Sequence, residues 1–137
     1  MQNGGETENL ILRLGLTKNI TFIHGVSSED LVKHYATASI AVVPSIYEGF
    51  GLPAAEAMAC GLPVISTNGG ALPEVVGKAG LIVPVKDEDA IADRIEKLLK
   101  DKSLRDNLSQ AARQRIEKNF SWDAAAKQIS ILYYKII

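Results

Sequence analysis

The sequence lacks the residues that would cross-link the chain covalently or place it in a membrane. Cys60 is the single cysteine among 137 residues, which excludes an intramolecular disulfide framework and favours a reducing compartment. Apolar runs such as residues 40–44 are far shorter than the ~20 residues that a membrane span needs. The first residues carry no basic stretch followed by an apolar one. These absences exclude a disulfide-rich secreted protein and a transmembrane segment.

An excess of charge of either sign is also lacking. Fifteen lysines and arginines oppose 16 acidic residues, the net charge is −1, and no block of five like charges occurs. Nucleic-acid surfaces need clustered cations, so we expect no nucleic-acid partner. No cluster of histidine, cysteine and carboxylates has metal-ligand spacing, so we expect no metal. The basic residues of the C-terminal third alternate with acids and are expected on solvated helix faces. Among them are Arg94, Lys97, Lys100, Arg105, Arg113 and Arg115.

What is present is typical of a globular α/β chain. With 47% hydrophobic and 23% charged residues, the length fits one domain over residues 1–137. Short apolar runs predict four strands, with one helical pattern, capped by Thr7, before the first strand and others between the strands. From Asp87 onward the chain is predicted to be helical, with Ser121 capping the last helix. This alternation predicts a parallel sheet with helices on both faces and a helical C-terminal tail. The predicted strands are residues 20–23, 40–43, 63–66 and 80–83.

The loop after the second predicted strand has the composition of an anion site. In open α/β sheets, ligands bind where strands end and helices begin. Gly49 and Gly51 permit close backbone approach, and a helix beginning directly after them presents free N–H groups and a positive dipole end. Glu48 and Glu56 bracket the loop and can accept hydrogen bonds from sugar hydroxyls. The loop therefore suits a sugar–diphosphate–ribose molecule. On the alternative interpretation, Glu56 complements the helix dipole and Glu48 is solvated.

The same residues resemble a known family. Glu48-Gly-Phe-Gly-Leu-Pro-Ala-Ala-Glu56 is similar to the E-x7-E signature of family 4 retaining glycosyltransferases, two-domain enzymes of the GT-B type. The resemblance implies a Rossmann-like three-layer parallel sheet of about four strands, forming part of the donor-binding C-terminal domain of such an enzyme. It extends from Asn3 to the terminal helix. The further stretches that carry it are residues 14–16, 20–25, 44–45, 57–64, 69–70, 73–76, 80–83 and 119–122.

The resemblance also implies a role for each site residue. Glu48 would be the catalytic residue, accepting hydrogen bonds from the transferred sugar, and Glu56 would hold the ribose hydroxyls. Backbone N–H groups near Phe50 would contact the sugar or the diphosphate, whereas Pro53 has none to offer. The loop ending at Val26 would lie against the base. The donor-binding residues so implied are Ser45, Gly49, Phe50, Gly51, Leu52, Glu56 and Val26.

The resemblance implies transfer of a sugar, with retention of configuration, from a UDP-, GDP- or ADP-linked donor, without cofactor or metal. Family members carry an arginine–lysine pair and an N-terminal acceptor domain that have no counterpart here. We therefore expect an incomplete donor domain that is truncated on its N-terminal side. It would be either a fragment or one subunit of a split enzyme, and we expect it to be inactive by itself. We expect self-association through unpaired strand edges or a rearranged sheet. We also expect a cytoplasmic location, with peripheral membrane association of the full-length enzyme left open.

Other interpretations stay open beside this one. A non-catalytic nucleotide-binding or assembly module could keep the fold and pair through its sheet edges. An NAD-binding protein is a weaker alternative, because Ala54 stands where a third glycine would complete the dinucleotide pattern. His24 at the end of a predicted strand fits a structural role, and Cys60 fits a packing role.

Overall fold

A computed structural model describes residues 5–136. The chain divides into two compact units, one up to Leu31 and one from Val32 onward, and this boundary falls within a helix. Each unit is described by itself below. The assignment of residues 1–137 to a single domain stays a prediction. Of these residues, Met1 to Gly4 and Ile137 lie outside the described part.

The first unit contains helix α1 (Glu6–Arg13) and the start of α2 (Ser28–Thr37). The expected Thr7 cap is wrong: Gly5 is the N-cap, and its N–H group donates to Glu8 Oε2 at 3.0 Å. Ser27 does cap α2, since its Oγ accepts from the Asp30 N–H at 3.2 Å.

The predicted strand at residues 20–23 is wrong. In the described part of the chain the sheet has three strands, and none of them includes this segment. β-Branched residues favour an extended backbone, but a strand forms only where a neighbour pairs with its N–H and C=O groups. Ile20, Phe22 and Ile23 are all exposed.

The second unit contains the sheet, whose strands are β1 (Ala41–Val43), β2 (Val64–Thr67) and β3 (Leu81–Val83). They lie in the order β1-β2-β3 and are all parallel. The α/β class with a parallel sheet is therefore confirmed, with three strands where about four were expected. Besides most of α2, this unit contains the helices α3 (Leu52–Ala59), α4 (Leu72–Val76), α5 (Glu88–Lys100), α6 (Lys102–Asn119) and α7 (Trp122–Ile136), and a 3-10 helix over Gly77–Ala79.

The core forms around β2, all four residues of which are buried. Val64 belongs to an apolar cluster with residues of α3 and α4, whereas Ile65 belongs to a second cluster with Leu98 of α5 and Leu108 of α6. Side chains of successive strand residues point to opposite faces, so the two clusters lie on the two sides of the sheet. Helices therefore cover both faces, which is the expected three-layer arrangement.

Aspartate and serine caps delimit the C-terminal helices. Asp87 Oδ1 accepts from the Ala90 N–H at 2.8 Å and so caps the beginning of α5. Asp101 Oδ1 accepts from the Leu104 N–H at 2.8 Å, and this second cap divides a continuous run of helix formers into α5 and α6. Ser121 caps α7 as predicted. No helix among residues 5–136 combines the length and the apolar character that spanning a bilayer requires.

Two arginines expected on solvated helix faces are partly buried instead. Arg105 donates through Nη1 to the Leu98 carbonyl at 2.6 Å. Arg115 donates through Nε to the Val75 carbonyl at 2.7 Å and through Nη2 to the Glu74 carbonyl at 2.6 Å. Both serve carbonyls at helix ends, which have no partner within their own helix. Alternation with acids in the sequence does not reveal such long-range acceptors.

Candidate functional site

The loop that leads from β1 into α3 is shaped by a left-handed glycine. Gly51 is the N-cap of α3 with φ +93°, and a Cβ built there would lie 2.8 Å from Leu72 Cδ2. This backbone conformation is one that other residues rarely adopt. The helix begins at Leu52, as predicted, and Pro53 lies in its first turn, where a missing N–H group costs nothing. The amino end of α3 thus lies at the carboxyl edge of the sheet.

Glu48 is held by a neighbour in its own loop. Ser45 Oγ donates to Glu48 Oε1 at 2.8 Å, and both residues are half-buried. A hydrogen bond to a carboxylate is stronger than one between neutral groups and fixes its orientation. The structure therefore brings together Ser45 and Glu48, two of the predicted site residues.

The backbone of the same loop is clamped by the loop after β2. The Ala71 N–H donates to the Glu48 carbonyl at 2.9 Å, and Thr67 Oγ1 donates to the Ser45 carbonyl. A Cβ on Gly70 would lie 2.2 Å from the Glu48 carbonyl oxygen, and one on Gly69 would lie 2.4 Å from the Ile46 carbonyl oxygen. The two loops are packed backbone to backbone, which only glycine permits.

Sequence reasoning recognised Gly69 and Gly70 as a turn and did not assign them to the site. The available signal is their location, because consecutive glycines after one parallel strand lie beside the loop that follows the neighbouring strand. Thr67 gave no such signal, since it lies just after the predicted strand at residues 63–66 and ends β2 only in the structure.

Glu56 lies on the exposed side of α3, and a tyrosine from α2 faces it. The Tyr35 hydroxyl is 3.4 Å from Glu56 Oε2 and 3.5 Å from the Pro53 carbonyl oxygen. Burial raises the pKa of Tyr35 above its ordinary value, and the charge and hydrogen bond of Glu56 raise the pKa further. The phenol is therefore a hydroxyl donor at neutral pH. No local sequence pattern marks Tyr35 as a partner of Glu56, which lies 21 residues further along the chain.

Phe50 connects the loop to the C-terminal helices. Its ring meets the Phe120 ring edge to face, with centroids 5.8 Å apart and planes at 75°. Arg115 Cζ lies 5.8 Å from the centroid of the Phe120 ring. A cavity of about 520 Å³ opens beside these rings. It is lined by Phe50, Leu52, Ala55, Glu56, Ala59, Ile116, Asn119, Phe120, Ser121, Trp122, Ala125 and Gln128.

Two residues discussed from the sequence lie in the first unit. Val26 is exposed there, and the His24 ring stacks on Phe22 with centroids 6.1 Å apart. The role of Val26 beside a base stays a prediction, as does the structural role of His24. Cys60 is a free, half-buried thiol at the end of α3. Among the residues that the structure describes, no group of three or more histidine, cysteine and acidic side chains could hold a metal ion.

The second unit thus offers donors and acceptors of hydrogen bonds around one helix terminus. The first N–H groups of α3 lack intrahelical partners, and the positive end of the helix dipole favours an anion there. The Glu48 carboxylate precedes this terminus by a few residues, and Glu56 follows it. Such an arrangement can bind a phosphate group together with hydroxyl groups on either side of it.

The sequence of this chain is similar to those of known proteins. The family model described as "Glycosyl transferases group 1" matches residues 3–115. The chain is 39% identical over its whole length to MMP alpha-(1->4)-mannosyltransferase of Mycolicibacterium hassiacum, and 45% identical over 86% of its length to O-antigen chain mannosyltransferase B of Escherichia coli. It spans 34% and 30% of those two proteins.

A solved structure with the same fold is that of a sucrose-phosphate synthase from Thermosynechococcus elongatus. The TM-score is 0.85 and the sequence identity is 38%, over 95% of this chain and 33% of that one. The chain therefore spans about a third of each of these three proteins.

Proposed function

This chain belongs to the group 1 glycosyl transferases, and we propose that it binds the nucleotide-diphosphate sugar that serves as donor in a sugar transfer. The observation that carries the proposal is the left-handed Gly51 at the start of α3, with Glu48 and Glu56 on either side. A bare phosphate would need no hydroxyl acceptors. A donor with a sugar at one end of its diphosphate and a ribose at the other needs two.

Each residue then has a role in donor binding. The diphosphate lies at the amino end of α3, where the N–H groups of Phe50, Gly51 and Leu52 donate to its oxygens. Glu48, oriented by Ser45, accepts from hydroxyls of the transferred sugar. Glu56 accepts from the ribose hydroxyls.

The proposed reaction is transfer with retention of anomeric configuration, and its support is the resemblance of the Glu48–Glu56 spacing to retaining enzymes. Glu48 would stabilise positive charge that develops on the sugar as the bond to the diphosphate breaks. The residues placed at the site supply carboxylates, hydroxyls and amides. Preorganised charge is usually the largest catalytic contribution, so stabilising the leaving diphosphate calls for cations beyond this group.

Transfer itself is proposed for the protein as a whole, because this chain spans about a third of its relatives. For the 137-residue chain alone we propose donor binding without appreciable transfer. The acceptor would be held elsewhere, and two reactants that are not held together lose the advantage of proximity.

The proposal is tested by calorimetric titration of the chain with UDP-, GDP- and ADP-linked sugars, beginning with mannose-bearing donors because two relatives are named mannosyltransferases. We expect one base to bind saturably and Glu56→Ala to weaken binding about tenfold or more, since hydrogen bonds to a charged group contribute ~1.5–3 kcal/mol. Glu88→Ala, an exposed glutamate on α5, is the matched control and should bind like wild type. Equal affinities of wild type and Glu56→Ala would refute the role of Glu56.

A second candidate function is a non-catalytic assembly module. Within the described residues β1 pairs with β2 alone, so its other edge presents N–H and C=O groups that can template association. A folded chain that binds none of the donors but self-associates as its concentration rises would favour this alternative.

A further inference from the structure

Tyr35 is divided between the core and the candidate site. Its ring packs against the cluster of buried residues formed by α3, α4 and the sheet, while its hydroxyl reaches the beginning of α3. A ring fixed by packing holds its hydroxyl at one place. The two oxygen atoms within reach belong to Pro53 and Glu56.

The carboxylate of Glu56 depends on such a partner for a defined orientation. Glu56 lies on the exposed side of α3, and an exposed glutamate samples several rotamers that binding must restrict. Of the two acceptors near the Tyr35 hydroxyl, the Glu56 carboxylate carries charge, which makes it the more favourable partner, and its oxygen lies at 3.4 Å against 3.5 Å for the Pro53 carbonyl. The Tyr35 hydroxyl therefore contributes more to the orientation of the Glu56 carboxylate than to the packing of α2 against α3.

We propose that Tyr35 is a positioning residue, whose hydroxyl orients the Glu56 carboxylate to accept hydrogen bonds from the ribose of the donor. This inference rests on the proposed function and adds a residue to it that the sequence pattern did not assign. Tyr35 does not touch the donor itself. It lowers the cost of ordering Glu56 when the ribose binds.

Burial and the contact with Glu56 both raise the pKa of Tyr35 above its ordinary value. Burial is the largest cause of its raised pKa, and the charge of Glu56 and the hydrogen bond to it follow. Replacing Glu56 by glutamine removes the charge next to the phenol and keeps the size of the side chain. In an NMR titration of tyrosine-labelled protein, we expect the pKa of Tyr35 to fall toward its ordinary value in Glu56→Gln. An unchanged pKa would show that the two groups do not interact and would overturn the inference.

The decisive experiment is a cycle that combines Tyr35→Phe with removal of the ribose hydroxyls. The probes are whichever of UDP, GDP and ADP binds the wild-type chain most tightly, and its 2′,3′-dideoxy counterpart. We expect Tyr35→Phe to weaken binding of the ribose nucleotide about three- to tenfold. It should leave affinity for the dideoxy nucleotide unchanged, because that ligand offers Glu56 no hydroxyl. Tyr134→Phe, at a tyrosine that is 84% exposed on α7, is the control and should change neither affinity.

The outcomes separate this inference from the proposed function. If the wild-type chain binds and Tyr35→Phe loses the same affinity for the ribose nucleotide as for the dideoxy nucleotide, Tyr35 has a merely structural role. That result would overturn the inference alone. The inference alone would also be overturned if Tyr35→Phe bound the ribose nucleotide as tightly as the wild-type chain does. A folded wild-type chain that binds none of the three nucleotides would overturn the proposed function and the inference with it. Circular dichroism of each variant verifies that the fold is kept.

Discussion

Gly70→Ala is expected to lower the free energy of unfolding by about 3 kcal/mol or more, because it combines two unfavourable effects. Gly70 has φ +60°, a conformation that strains any residue with a Cβ. The added carbon would also lie 2.2 Å from the carbonyl oxygen and 2.8 Å from the backbone nitrogen of Glu48. Those contacts are with backbone, which cannot rotate away. Relief requires the loop that carries Glu48 to move, so we also expect donor binding to be lost.

Two alanine variants separate strain from collision in this experiment. Gly61→Ala also introduces a side chain at positive φ, +74°, but its Cβ would lie 3.6 Å from Ser109 Oγ, an ordinary contact. It should lose only ~1–2 kcal/mol. Gly49→Ala meets nothing within 4 Å and should keep wild-type stability. Denaturant unfolding of the three variants gives the comparison. Similar losses for Gly70→Ala and Gly61→Ala would contradict the backbone packing described here.

Arg115→Met is expected to lower the free energy of unfolding by ~2–4 kcal/mol, with loss of two hydrogen bonds from a charged donor. Arg115 serves the Glu74 and Val75 carbonyls of α4, a helix of five residues that cannot satisfy its own last carbonyls. Methionine keeps much of the apolar stem and removes the guanidinium. The variant also removes the cation whose Cζ lies 5.8 Å from the centroid of the Phe120 ring. That ring contacts Phe50 in the loop between β1 and α3. Weaker donor binding should therefore accompany the lower stability.

Arg113→Met is the matched control, because Arg113 lies on the same helix and pairs with Glu117 at the surface. Exposed ion pairs contribute little, so denaturant unfolding should detect hardly any change. Arg115→Lys should recover only part of the loss, since an ammonium group cannot reproduce the forked geometry of the two bonds. If Arg115→Met unfolded like Arg113→Met, the bridge to α4 would have no energetic importance.

The elements that the sequence predicted correctly are those with local signals at both ends. Helix α3 begins after Gly51 and is followed by Gly61, and Asp87 and Ser121 cap their helices through contacts three residues away. Such signals act within one turn of the chain, so they can be found without knowing the fold. The Glu48–Glu56 region could be located for the same reason, as a glycine-rich loop between a strand and a helix.

The failures are contacts between distant parts of the chain. Residues 20–23 have strand composition but no strand partner in the described structure, because pairing is a property of two segments. Thr67 and Gly70 fix the Glu48 loop from more than twenty residues away, and Arg115 reaches α4 across forty. Neither Thr67 nor Arg115 carries a local sequence signal for its partner. The sequence therefore locates the loop and helix of the proposed site better than the distant residues that hold them in place.

The central claim, that the amino end of α3 binds the diphosphate of a nucleotide donor, is tested most directly by backbone amide NMR. The chain would be titrated with whichever of UDP, GDP and ADP binds it. We predict that the largest shift changes occur at the amides of Gly49, Phe50, Gly51 and Leu52. Amides around the separate cavity lined by Cys60 and Ser109 should stay unchanged. Largest changes at that cavity, or saturable binding without response from residues 49–52, would contradict the account.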